Sequence, residues 1–63
     1  MRNRDVRIGM HIEHATSGEY LGVVTEKGHA TVRFDGSRVR DGHPVGVAAY
    51  AEIRLARKVI GHE

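Results

Sequence analysis

The stretch from Tyr20 to Gly36 constrains the fold of this chain more than any other. Two runs rich in strand-forming residues, Tyr20–Thr25 and His29–Asp35, are separated by Glu26-Lys27-Gly28 and closed by Asp35-Gly36. Apolar and β-branched runs on either side of a turn containing glycine form the pattern of an antiparallel hairpin. In 63 residues such a hairpin is a large part of the molecule. Its second run alternates cleanly. Ala30, Val32 and Phe34 fall on a core face, and Thr31, Arg33 and Asp35 face away. In the first run Leu21 and Val23 oppose Tyr20, Gly22 and Val24. Glycine weakens a strand, so Gly22 implies a bend or a close neighbour.

The flanking segments extend the pattern. Val6, Ile8, Met10 and Ile12 alternate with Arg7, His11 and Glu13, which predicts a first strand with a bend at Gly9. Ala15–Glu19 is small and polar, as loops are. Arg38-Val39-Arg40 reads as a short strand or a loop. Pro44 ends any regular structure there, because proline cannot donate to a ladder. Val45–Ala49 predicts a further strand, and Ala49–Glu52 suits one 3₁₀ turn. A last strand over Ile53–Ala56 places Ile53 and Leu55 inward. The competing reading is a helix over residues 47–60, because Tyr50, Ile53, Arg54, Arg57 and Ile60 recur at helical spacing.

Length and composition set the bounds. A chain of 63 residues is one domain, and it buries only about 60% of the surface its unfolded form exposes. It has no cysteine, so disulfides and thiolate-bound metal do not reinforce it. A closed barrel or a homo-oligomer is the expected remedy. No apolar run approaches the roughly 18 residues of a membrane span, and the basic N-terminus has no apolar segment behind it. The expectation is a cytoplasmic protein without membrane contact. It divides into a flexible basic arm (1–5), a barrel (6–56) and a C-terminal tail (57–63).

The order of these segments resembles the small SH3-like barrels, the group that includes the KOW and Tudor domains. The resemblance rests on Ile8-Gly9-Met10-His11-Ile12, Gly22-Val23-Val24, Val32-Arg33-Phe34-Asp35-Gly36 and Ala51-Glu52-Ile53-Arg54-Leu55. It implies an all-β fold of about five antiparallel strands, with a 3₁₀ turn before the last. A narrower resemblance is to the type II dihydrofolate reductases, barrels that act as tetramers around a pore. In that family a His-Pro pair precedes Val-Gln-Ile-Tyr; here His43-Pro44 precedes Val47-Ala48-Ala49-Tyr50. Alanine at both ligand-contacting positions removes the amide that the resemblance would require.

The charge balance is +2, and eight of the ten cations are arginine. Arginine offers a planar fork to phosphate or carboxylate, although a GC-rich genome also favours its codons. Arg33, Arg38, Arg40, Arg54, Arg57 and Lys58 form the candidate nucleic-acid-binding set. They make one basic face if the strands carrying them are neighbours. Arg2, Arg4 and Arg7 would act as a basic arm. With only Tyr20, Phe34 and Tyr50 as aromatics, base stacking and methyl-lysine cages are disfavoured, and phosphate contact to DNA or RNA fits better. His11 and His14 lack the i, i+4 helical spacing of zinc ligands, so no metal and no cofactor is expected. No nucleophile is grouped with a histidine and an acid, which argues against an enzyme. The expectation is a non-enzymatic binding module for nucleic acid. The alternatives are an assembly or regulatory accessory protein, of phage or bacterial type, that uses a sheet edge or self-association, and an oligomeric reductase-like enzyme.

Overall fold

A computed structural model describes residues 1–37 and 45–57. The chain is all-β, with five antiparallel strands: β1 (His11–His14), β2 (Tyr20–Lys27), β3 (Thr31–Asp35), β4 (Val45–Ala49) and β5 (Ile53–Leu55). One 3₁₀ turn covers Asn3–Asp5, and a second, Tyr50–Glu52, delivers the chain into β5. The strand order is β4-β3-β2-β1-β5. The helix considered over residues 47–60 is absent wherever that segment is described. The short β-branched and small residues of β4 pair with β3 instead. Among the described residues no helix is long and apolar enough to cross a membrane.

β2 is the longest strand and serves two partners. Its first half pairs with β1 and its second half with β3, with a register irregularity on each side. Gly22 makes the irregularity on the β1 side possible. Its φ is +141°, and a Cβ placed there would lie 2.5 Å from the Asp35 carbonyl oxygen. Backbone passes too close for any side chain, and the extra residue bends the strand. The bend explains why burial in β2 does not alternate: Tyr20, Leu21, Gly22 and Val24 are all buried.

The core is Val6, Ile12, Leu21, Val24, Val32, Phe34, Tyr50 and Ile53, with Met1, Met10 and Ala48 packed against it. Tyr20 and Val24, on the outer face by simple alternation, are buried because β2 bends. Three residues expected inward are exposed: Ile8, Leu55 and Ala30. Ile8 falls in the turn closed by Met10 N–H donating to the Arg7 carbonyl (3.1 Å), ahead of β1. Leu55 ends a strand of three residues that no further strand covers among the described residues. Residues 1–6 are tied down at their backbone. The Met1 ammonium donates to the Tyr50 carbonyl (2.8 Å), and Lys27 Nζ donates to the carbonyls of Asn3 (2.9 Å) and Val6 (2.7 Å).

β4 fits against β3 only because residue 46 is glycine. A Cβ there would sit 2.5 Å from Phe34 Cζ, its directly paired neighbour. The aromatic ring fills the space that a side chain would take.

These two glycines give a graded expectation. Gly22→Ala meets rigid backbone at positive φ and should cost about 3 kcal/mol or more, enough to unfold a large share of so small a domain. Gly46→Ala meets a ring that can shift and should cost about 1–3 kcal/mol. Urea denaturation monitored by tyrosine fluorescence checks both values and their order.

Candidate functional site

The six cations of the candidate set do not form one described face. Arg33 lies exposed on the outer face of β3, directly between Glu26 of β2 and Val47 of β4. Arg54 lies on β5, and β2 and β1 stand between that strand and β3. Arg57 lies two positions beyond the end of β5. Arg38, Arg40 and Lys58 lie outside the described residues. Arg54 and Arg57 are brought together, and what they meet is Glu13.

Glu13 is the one buried charged residue among those described, at 4% exposure. Alternation predicts its outward direction correctly but not its burial: β1 is internal in the sheet, and the arginine side chains lie over its outer face. Arg54 Nε donates to Glu13 Oε2 at 2.5 Å, and Arg57 Nε lies 3.3 Å from the same oxygen. The Arg57 backbone N–H donates to Oε1 at 3.1 Å. Both carboxylate oxygens are therefore engaged, as a buried charge requires. The N–H of Arg57, then the Arg54 guanidinium, hold the Glu13 carboxyl below its ordinary range, against a smaller upward push from burial. The arrangement fastens the chain beyond β5 to β1. The signal for it in the sequence is a run of cations at 54–58 with no acid of its own.

A second feature lies at the other edge. Among the described residues β4 pairs only with β3, so one side of it is open. The register is regular, and Tyr50 N–H continues it by donating to the Ala30 carbonyl at 3.4 Å. In an antiparallel ladder the backbone groups of alternate residues point the same way. Gly46 and Ala48 therefore turn their backbone groups to β3, while Val45 and Val47 turn theirs to the open side. The outward N–H of Ala49 is already taken by Glu52 Oε1 at 3.0 Å, which closes the edge at that end. Val45 and Val47 also keep their side chains exposed on the outer face, at 61% and 59%.

Beside this edge runs an open cleft of about 280 Å³. Val45, Gly46, Val47 and Ala48 line one side, and His14, Glu19 and Leu21 from the β1–β2 end line the other. Phe34 and Glu52 complete it. Strands far apart in the sheet order thus border one space, which means that the sheet curls. His14 Nδ1 accepts from the N–H groups of Thr16 (3.2 Å) and Ser17 (3.4 Å), leaving the ring proton on Nε2. His11 Nδ1 contacts the hydroxyl of Tyr20, whose pKa burial pushes up. Tyr50 donates its hydroxyl to the Gly28 carbonyl at 2.7 Å and is buried in the core. Among the described residues no group of three His, Asp or Glu side chains is placed to hold a metal ion.

Compared with protein-family models, with curated proteins and with solved structures, the chain matches none.

The Glu13 cluster sets a pH dependence. A carboxyl whose folded pKa is depressed contributes stability that is present above its unfolded value of about 4.5 and is lost as pH falls through the folded value. Glu13→Gln should lower the Tm at pH 7. The gap between wild type and variant should narrow steadily as pH drops below 4.5, because the wild type loses what the variant never had. Parallel thermal melts from pH 7 to pH 2 check this; a gap independent of pH contradicts it.

Proposed function

We propose that this chain is a non-enzymatic binding module on an SH3-like barrel, and that it takes its partner as an added strand on the open edge of β4. The barrel reading is supported by the order of elements. A β2-β3-β4 meander is flanked by β1, the last strand returns beside β1 after a 3₁₀ turn, and β4, the β1–β2 connection and the second 3₁₀ turn border one cleft. The binding reading is carried by a single observation: β4 presents two consecutive outward-facing residues, Val45 and Val47, whose side chains are also exposed. Edge strands are ordinarily blunted by charge, proline or cover, because unpaired N–H and C=O groups recruit other strands. Over Val45–Ala49 this edge carries no charged residue at all. Strand addition supplies affinity through main-chain hydrogen bonds and specificity through alternate side chains.

A second reading keeps the nucleic-acid expectation. Arg2, Arg4, Arg7 and Arg33 are exposed, and Arg54 and Arg57 meet on the carboxylate of Glu13. Phosphate contact through these groups would be weak in sequence preference and steep in salt.

The two readings separate by substitution. Val47→Pro removes an N–H that faces away from β3, so the ladder stays intact and stability should stay within about 1 kcal/mol of wild type. An extended peptide alternating valine and threonine should shift the β4 amide resonances of the wild-type chain, and Val47→Pro should abolish those shifts. Arg33→Ala should leave peptide binding unchanged. If instead a generic DNA duplex binds and Arg33→Ala lowers the salt slope by about one, the phosphate reading is the correct one.

A further inference from the structure

We infer that Arg54 and Arg57, held side by side by Glu13, form a discrete site for a single phosphate monoester group. The site stands without the strand-addition reading, and it is narrower than the diffuse phosphate contact of the second one. Both guanidiniums are anchored on the same atom. Nε of Arg54 lies 2.5 Å and Nε of Arg57 3.3 Å from Oε2 of Glu13, whose side chain is only 6% exposed. Arg57 is gripped twice, because its own backbone N–H donates to Oε1 of that carboxylate at 3.1 Å. Its side chain is thus folded back onto Glu13 although it is 74% exposed. The far ends of the two guanidiniums meet again beside the loop between β1 and β2. The point where a Cβ of residue 18 would stand lies 3.5 Å from Arg57 Nη2 and 3.8 Å from Arg54 Nη2. Residue 18 is a glycine at φ +76°, so no side chain fills that point. Among the described residues the Nη groups of both arginines have no hydrogen-bond partner, their contacts being those to Glu13. Two guanidinium ends brought to one point repel each other, and an anion between them relieves the repulsion. Their unspent N–H groups present planar forks of the kind that suit phosphate oxygens. Glu13 has already ordered both side chains, so a ligand has less freedom to remove on binding. A monoester fits better than a diester, because it offers three terminal oxygens and close to two negative charges to two cations.

The test follows the arginine Nε–H and Gly18 amide NMR signals of the full chain at neutral pH and low salt, while methyl phosphate, inorganic phosphate, dimethyl phosphate or acetate is added. Methyl phosphate and inorganic phosphate should shift the signals of Arg54, Arg57 and Gly18 along a saturating curve, and those of Arg2, Arg4, Arg7 and Arg33 should stay in place. Dimethyl phosphate and acetate should bind about tenfold more weakly. Gly18→Ala keeps Glu13 and both arginines but puts a methyl group at the point between them. Arg57→Lys keeps the charge and loses the fork. Each should weaken methyl phosphate binding about fivefold or more. Equal, unsaturating shifts at every arginine would mean general screening and would overturn the site. Dimethyl phosphate or acetate binding as tightly as methyl phosphate, or binding that survives both substitutions, would overturn it too. A DNA duplex that binds through Arg33 while the Arg54 and Arg57 signals stay unmoved would overturn the site and leave the nucleic-acid reading standing.

Discussion

The structure depends on the contact between Gly22 and the backbone of Asp35 and Gly36. It is a contact between two main chains, with no room for a β-carbon. Because β2 can bend there, one strand pairs with β1 at its start and with β3 at its end. The same bend curls the sheet, so that the edge strand β4 and the connection between β1 and β2 border a common cleft. A flat sheet of the same strands would leave its apolar face open, and a chain this short has nothing else to cover it.

The two edges of the sheet are treated in opposite ways. On the β5 side, the buried carboxylate of Glu13 gathers two arginines and a backbone N–H, and it fixes the end of the chain to an internal strand. Charge there serves cohesion. On the β4 side the residues are uncharged, and the Glu52 carboxylate satisfies one outward N–H, while those of Val45 and Val47 meet no partner among the described residues. The basic residues that suggest a polyanion partner are thus partly occupied by the fold itself. The uncharged edge, which is chemically quiet in the sequence, is the part left unpartnered among the described residues.

Most of the fold is legible in the sequence because alternation and glycine placement report local geometry. β3, β4 and the 3₁₀ turn at Tyr50–Glu52 fall where their patterns place them, and the close approach at Gly22 follows from a glycine inside a strand. Alternation fails where a strand bends or runs out. Tyr20 and Val24 are buried by the irregular pairing of β2, while Ile8 precedes β1 and Leu55 ends an uncovered edge. The site was less legible, since it depends on long-range order. Nothing local in His11-Ile12-Glu13-His14 says that arginines more than forty positions later will cover Glu13. The convergence of Arg33 with Arg54 presumed neighbouring strands, and the order β4-β3-β2-β1-β5 separates them. That Val45 and Val47 face outward follows from ladder parity, which is fixed only once the register with β3 is known.

The central claim is that the outward backbone groups of β4 are open to a new strand. Residue-resolved amide hydrogen exchange on the free chain tests it most directly. The account predicts alternation along β4: slow exchange at Gly46 and Ala48, whose N–H groups face β3, and fast exchange at Val45 and Val47. Equal protection at all four amides would mean that the edge is already paired, and the account would fail.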